Sequence, residues 1–345
     1  MLLIFRMFII IMLTINILIN AQRRVKGQSA GWKNFGAFLD FHAKSARFLG
    51  RIEVVGGVLR LDLCGCAWYN GQNSEKGAVF MRIAVVTGAS SGLGREFVRE
   101  LCEKAVSPKC READKLDEIW VIARRREALE KLKREMPLPV RCLPLDLTKK
   151  ESLQTLADAL AAEKPSVRML INAAGFGKIG TCRDISIQDC DDMIDLNCRA
   201  AVDVTLLSLP YMERGSRILE IASTSAFQPL PGLAVYAASK AFLMRYSRAL
   251  RWELFGTGIR VTAVCPYWIS DTEFIPTAQK TKNGSAVRHF PLAIHAKTVA
   301  RLALFESRLG CAISTAGPVS FVHRILAKWI PHCVMIAGWE VIRRL

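Results

Sequence analysis

The chain lacks the patterns that announce a metal centre or a nucleic-acid reader. Its eleven cysteines are odd in number and scattered, and the close pair Cys64 and Cys66 has no second pair to complete a zinc set. This is the usage of a reduced, cytosolic thiol population, and no metal is expected. No zinc-finger spacing or basic repeat accompanies the net charge of +17, so nucleic acid ranks last among the partners that charge would attract. Acidic residues are the scarcer sign, 31 against 48 Lys and Arg. A basic surface of this kind draws phosphorylated cofactors, acyl-CoA or anionic lipid. Long apolar runs are missing too, apart from residues 2–19, which Arg6, Thr14 and Asn16 interrupt. That run is marginal as a membrane anchor, since about 20 apolar residues span a bilayer.

With 51% hydrophobic residues in 345, the chain can bury one sizeable core. Between residues 27 and 80 there is neither sustained helical periodicity nor a clean series of strands. Residues 1–80 are therefore expected to be a non-native extension, translation starting at Met81, or else a weak membrane anchor. Glu75-Lys76-Gly77-Ala78 fits the first expectation, because a purine-rich ribosome-binding string can encode it just ahead of Met81.

From Arg82 the pattern changes. Residues 82–86 form a β-branched apolar run of the kind buried in parallel sheets. It runs into Thr87-Gly88-Ala89-Ser90-Ser91-Gly92-Leu93-Gly94 and then an amphipathic helix over about residues 95–104. Strand, glycine-rich turn and helix start form an anion cradle: glycines let the backbone approach a pyrophosphate, and helix-terminal N–H groups face it. The second strand, residues 118–123, ends at Arg124-Arg125-Arg126, where an NAD enzyme carries a carboxylate for the ribose hydroxyls. Arginine there suits the 2′-phosphate of NADP, with Arg124 as principal contact and Ser90 or Arg125 as helpers; Arg126 reads as a solvated helix start. Asp146-Leu147 follow the third strand, residues 140–145, where Asp146 suits an adenine edge or caps the helix of residues 149–162. The fourth strand, residues 167–171, ends in Asn172-Ala173-Ala174-Gly175, whose small residues permit close backbone approach to a ligand.

The fifth strand, residues 217–222, delivers Ser223, and a helix over about residues 235–255 carries Tyr236 and Lys240. A tyrosine, with an unperturbed pKa of about 10, exchanges a proton near neutrality only where a cation favours its phenolate. Lys240, four residues on, shares a helix face with Tyr236, and Ser223 can hold a substrate oxygen against the phenol. A lone YxxxK pair arises by chance in many helices; the neighbouring cradle gives this one its weight. Asn197, in the helical segment 189–211, is either a packed amide or the holder of a water in a relay to Lys240. The sixth strand is residues 259–264, and the last is expected over residues 311–315.

The turn from Thr87 to Gly94, Asn172-Ala173-Ala174-Gly175, Asn197, Ser223 and Tyr236-Ala237-Ala238-Ser239-Lys240 stand in order and spacing. Over about residues 81–315 the chain resembles a classical short-chain dehydrogenase/reductase. The resemblance implies an α/β fold, a single Rossmann-type doubly wound parallel sheet of seven strands with flanking helices. It implies hydride transfer with a nicotinamide cofactor, NADP(H) being favoured over NAD(H). It makes Tyr236 the general acid/base, has Lys240 lower its pKa and bind the nicotinamide ribose, has Ser223 orient the carbonyl and has Asn197 support the relay. Asn172, Ala173, Gly175 and Pro266 join the cradle residues, Tyr236 and Lys240 on the cofactor side. Ala173 stands where many members carry a second asparagine, a change that a backbone role survives. Pro266-Tyr267 resembles the branch of 17β-hydroxysteroid dehydrogenases and long-chain 3-ketoacyl-CoA reductases, whereas Asp271 replaces a usual threonine and leaves that nicotinamide contact open.

The resemblance makes residues 268–295 the substrate cover. Its aromatics with Lys280, Lys282 and Arg288 suit an apolar substrate with an anionic end, solvated basic residues being the simpler account. His289 and His295 read as surface or packing residues. In the tail, residues 316–345, Arg324, Lys328 and His332 alternate with apolar positions, and Pro331 interrupts the run. Such a basic amphipathic segment packs over the substrate mouth, touches an anionic membrane peripherally or forms a contact in a homo-oligomer. The expected activity is reduction of a hydrophobic ketone, steroid-like or 3-oxoacyl, or oxidation of the alcohol. The alternative is a non-catalytic NADP-binding regulator or scaffold. The expected location is cytoplasmic, or membrane-associated if residues 2–19 are an anchor.

Overall fold

A computed structural model describes residues 51–55, 58–62, 80–281, 287 and 292–343. The chain divides into two units, Met1–Asn70 and Gly71–Leu345. In the first, Arg51–Val55 pairs antiparallel with Val58–Asp62, Val55 opposite Val58. This hairpin lies in the stretch where the sequence shows no clean series of strands. Its signal is a short apolar/charged alternation on each side of Gly56-Gly57, the dipeptide of a two-residue turn. The expectations of an anchor over residues 2–19 and of a start at Met81 lie outside the described residues.

The second unit is built on seven parallel strands: β1 (Arg82–Thr87), β2 (Glu118–Ile122), β3 (Val140–Leu143), β4 (Ser166–Asn172), β5 (Arg217–Ile221), β6 (Arg260–Val264) and β7 (Ile313–Ser314). Their order across the sheet is β3-β2-β1-β4-β5-β6-β7. Ile83, Val85 and Val86 of β1 have no exposed surface, as a strand covered on both faces requires. Strand order reverses between β1 and β4, and Thr87 pairs with Asn172 at their carboxyl ends. The crevice of an open α/β sheet forms at such a switch point.

Helices α1 (Gly92–Ala105), α2 (Arg126–Glu135) and α8 (Ala296–Leu309) share one face with Ala84 and Val86 through Phe97, Leu101, Leu129, Val299 and Ala303. The other face takes α3 (Lys150–Glu163), α5 (Ala200–Ser208) and α6 (Ala234–Glu253). The single helix expected over residues 189–211 is broken: α4 (Ile187–Ile194) meets α5 through a π-helical turn, Asp195–Arg199. That turn contains Asn197, whose amide is bonded to another loop. Helix α7 (Phe274–Ala278) is short, and the tail forms two helices, α9 (Pro318–Trp329) and α10 (His332–Ile342), divided at Pro331. Pro331 interrupts because it lacks an N–H and keeps the preceding residue extended. No helix among the described residues is long and apolar enough to cross a membrane.

Candidate active site

The turn after β1 is packed too tightly for side chains. Gly88 adopts φ +67°, and a Cβ there would lie 2.7 Å from the Ala173 carbonyl oxygen; one on Gly94 would run into the Gly88 carbonyl. Gly88 N–H donates to the Ile122 carbonyl at 2.8 Å, tying the turn to β2. Thr87 Oγ1 accepts from Ala174 N–H at 3.0 Å, tying it to the loop after β4. The start of α1 therefore faces an open crevice with bare backbone, which fits a dinucleotide pyrophosphate.

Gly88, Ser90, Ser91, Gly92, Leu93 and Gly94 line a cavity of about 1030 Å³ that continues past Arg124, Asp146, Leu147, Ala173 and Gly175 to Ser223, Tyr236, Lys240 and Pro266. Exposed Arg124 stands at its rim. Arg125 donates to Ser90 Oγ at 3.4 Å and to Glu273 at 3.0 Å, bridging the cradle to the loop before α7. Asp146 does not cap α3: its carboxylate accepts from Thr148 N–H and Oγ1–H at 3.1 and 2.8 Å and closes a local turn. Thr272 packs against Gly92, a contact that sequence reading missed because only the fold brings the two loops together.

Two expected contributors have their side chains held in buried hydrogen-bond networks. Asn172 points into the core, where Nδ2 donates to the Ala201 carbonyl, Thr205 Oγ1 and Glu220 Oε1 at 3.2, 2.8 and 2.9 Å. Its side chain is spent inside, and the backbone that follows it, Ala173 to Gly175, lines the cavity. Asn197 is fully buried: Nδ2 donates to the Phe176 carbonyl and Ser239 Oγ, while Oδ1 accepts from Phe176 N–H. These contacts describe the packed amide, and the amide pins the loop beside Gly175.

Ser223 caps the turn after β5, its Oγ accepting from Ser225 N–H at 3.1 Å. The same hydroxyl acts on the neighbouring Tyr236 phenol in the direction that favours the phenolate. Burial is the largest influence on that phenol and pushes it up to about 12, with the Ser223 hydroxyl acting the other way. Lys240, expected to favour the phenolate, stands one turn further along α6. The ammonium sits 5.8 Å from the Tyr236 ring centre and donates to the Ile221 carbonyl at 2.8 Å. Burial pushes Lys240 itself down to about 8. Glu220, set between Leu219 and Ile221 in β5, is fully buried, and burial pushes its carboxyl up to about 7. That misplaced charge was a readable signal, and sequence reading passed over it.

Beyond the hydroxyl pair the cavity wall is mostly apolar. Leu230, Leu233, Trp268 and Phe274 line it from the body of the domain, and Val319, Leu326, Met335 and Trp339 line it from the tail helices. Trp339 Nε1–H donates to the Pro231 carbonyl at 2.9 Å and fixes α10 over the mouth. Lys280 is not on this wall, and Lys282 and Arg288 lie outside the described residues. Asp271 accepts from Ala296 N–H at 2.8 Å and anchors the start of α8, a structural duty. His295 is exposed beside it, and His289 lies outside the described residues.

A doubly wound parallel sheet with a glycine cradle opening onto a buried Ser-Tyr-Lys cluster defines a Rossmann-type oxidoreductase of the nicotinamide-dependent class. The sequence pattern of the short chain dehydrogenase family matches residues 82–283, and the chain belongs to that family. Sulfoacetaldehyde reductase 2 of Chromohalobacter salexigens is 32% identical over 235 residues, covering 66% of this chain and 88% of that protein. The NADP-dependent 3-hydroxy acid dehydrogenase YdfG of Escherichia coli (strain K12) is 31% identical over 211 residues, 60% of this chain and 81% of that one. A closed serine dehydrogenase complexed with NADP+ superposes with a TM-score of 0.57 at 25% identity, over 69% of this chain and 95% of that one. A family member from Burkholderia phymatum in complex with NAD shares the fold, with a TM-score of 0.59 at 21% identity over 72% and 92% of the two chains.

Proposed function

We propose that the protein is an NADP(H)-dependent reductase of hydrophobic ketones, reversible as a secondary-alcohol dehydrogenase. The observation that carries this reading is the Ser223–Tyr236 hydroxyl pair, set in the wall of one cavity shared by the glycine cradle and an apolar chamber. Bound in the cradle, a nicotinamide dinucleotide supplies the hydride. Ser223 holds the carbonyl oxygen, and Tyr236 donates its proton to that oxygen as negative charge develops there. A phenol held near 12 stays protonated at neutral pH, the state a proton donor needs. The Lys240 ammonium, braced by the Ile221 carbonyl, favours the phenolate left behind. Asn197 acts by holding the loop around Gly175, close to Lys240 Nζ.

NADP(H) is favoured because arginines and no carboxylate follow β2. Arg125 is engaged by Glu273, so the 2′-phosphate falls to Arg124. The apolar chamber suits a steroid-like or 3-oxoacyl body. Gln228 Oε1, buried at the wall with no partner among the described residues, offers an acceptor for one remote polar group. The outward faces of α9 and α10 expose Phe321, Ile325, Trp329 and Val341 beside Arg324 and Lys328, which suits peripheral contact with an anionic membrane holding such substrates.

NADPH oxidation against a panel of steroid, 3-oxoacyl and small aryl ketones tests the reading. Tyr236→Phe is expected to lower turnover on an accepted ketone by about 10²-fold or more while NADPH binding persists. Undiminished turnover in that variant rejects the role given to the phenol, and a panel without any turnover favours the regulator or scaffold.

A further inference from the structure

We propose that a second cleft, at the opposite end of the sheet from the dinucleotide cradle, binds a small, multiply phosphorylated anion. The cleft measures about 610 Å³, within the range that small ligands occupy. Arg217, the first residue of β5, and Arg168, near the start of β4, place it at the amino ends of the strands, whereas the cradle opens at their carboxyl ends.

Its lining is unusual in charge. Lys104 from the end of α1, Lys109 and Arg111 from the following loop, and Arg301 and Arg308 from α8 converge with Arg168 and Arg217 on one opening. Asp114 is the carboxylate among the lining residues, and it is already shared: Arg111 and Arg217 each approach it at 2.6 Å. Arg168 is engaged by Glu213 at 2.6 Å. Glu100, behind the wall, lies 4.0 Å from both Lys104 and Arg301, too far for tight pairing. Arg308 rests over the Phe305 ring, 5.5 Å from its centre, a contact that leaves its charge uncompensated.

The arrangement costs the folded chain energy. Burial pushes the Arg217 guanidinium down against the pull of Asp114, and the like charges of Arg111 and Arg308 act in the same direction as burial. Lys104 is pushed down by burial and again by Arg217 and Arg308, with Glu100 and Asp114 pulling the other way. Cations repelling one another in a partly enclosed, low-dielectric cleft are stabilised most by an anion that brings several negative charges into a small volume. Guanidinium forks match phosphate oxygens in pairs, so a pyrophosphate-like group fits this lining better than a single carboxylate. Neither hydride nor proton transfer at the catalytic cluster uses any of these residues.

The test uses the full chain with saturating NADP+, titrated with inorganic pyrophosphate and followed by calorimetry. One pyrophosphate is expected to bind per chain, with affinity falling as salt rises. Lys109 and Arg308 are exposed, so their charge-reversal variants disturb little packing. Lys109→Glu and Arg308→Glu should each weaken binding about ten-fold or more, the loss of one charge-assisted contact, while Arg308→Lys keeps part of it. Arg248→Glu, an exposed reversal on α6 that lines neither cavity, should leave pyrophosphate binding unchanged, and saturating NADP+ keeps the probe out of the cradle. Absence of binding, affinity unchanged from the parent chain in Lys109→Glu and Arg308→Glu, or an equal loss in Arg248→Glu overturns the proposal.

Discussion

At Tyr236 burial and the Ser223 hydroxyl act in opposite directions, and burial wins: the phenol rises to about 12. The sequence places Tyr236 and Lys240 on one helix face, and that much holds. It does not say that Lys240 spends a hydrogen bond on Ile221, 19 positions earlier, because that contact exists only once α6 packs on β5. Arg124 is the residue on which cofactor choice turns. Replacing it by Glu sets a carboxylate against the 2′-phosphate, so KM for NADPH is expected to rise at least about ten-fold while KM for NADH stays level or falls. Steady-state kinetics with both cofactors checks this, and equal effects on the two would show that Arg124 does not read the 2′ position. Asp271, Asn172 and Asn197 were recognisable as polar residues beside motifs. Their partners Ala296, Glu220 and Phe176 lie 21 to 48 positions away, beyond the reach of local spacing.

Among the elements, strands were the most legible, since a β-branched run between turn residues specifies a buried strand with little help from its surroundings. Seven parallel strands stand where the succession of runs placed them, while their order across the sheet came only with the fold. Helices were less legible: the π turn at Asp195–Arg199 leaves no mark in the apolar pattern, and the seating of α9 and α10 depends on what lies beneath them. Trp339 joins α10 to the domain through Pro231 and packs with Phe274 and Leu230 near Tyr236. Trp339→Ala is expected to open the chamber at that end. KM for a bulky apolar ketone should rise about ten-fold, and a small aryl ketone should keep its kcat, because the hydroxyl pair is untouched. An equal loss for both substrates would mean that α10 acts on the catalytic cluster and not on substrate fit.

Across the whole molecule, charge is distributed with two centres, the nucleotide cradle and the cationic cleft, at opposite ends of the sheet. Between them the buried Glu220 links strand, helix and site, facing Asn172, Thr205, Lys240 and Tyr246. Its carboxyl, pushed up to about 7 from an ordinary 4.5, holds a proton in the folded chain that the unfolded chain has released. Its contribution to stability is therefore full below about 4.5 and lost as pH rises through about 7. Lys240, pushed down to about 8 from 10.5, contributes above 10.5 and loses that contribution as pH falls through about 8. Glu220→Gln removes the first of these losses, so the melting temperature of the variant relative to the natural chain is expected to climb between pH 5 and pH 8, by several degrees on the scale of one to two kcal/mol (roughly). Thermal melts across that range decide it; a difference independent of pH would show that Glu220 does not titrate there. The sequence by itself determined the succession of strands, the glycine cradle and the Ser223, Tyr236 and Lys240 set, because each is written in short-range spacing of residue types. Only the tertiary structure decided which polar groups are spent inside, which way burial moves Tyr236, how the tail covers the chamber and where seven cations meet. Each of those outcomes depends on exclusion from water and on contacts between distant segments, neither of which exists until the sheet and its helices have closed on one another.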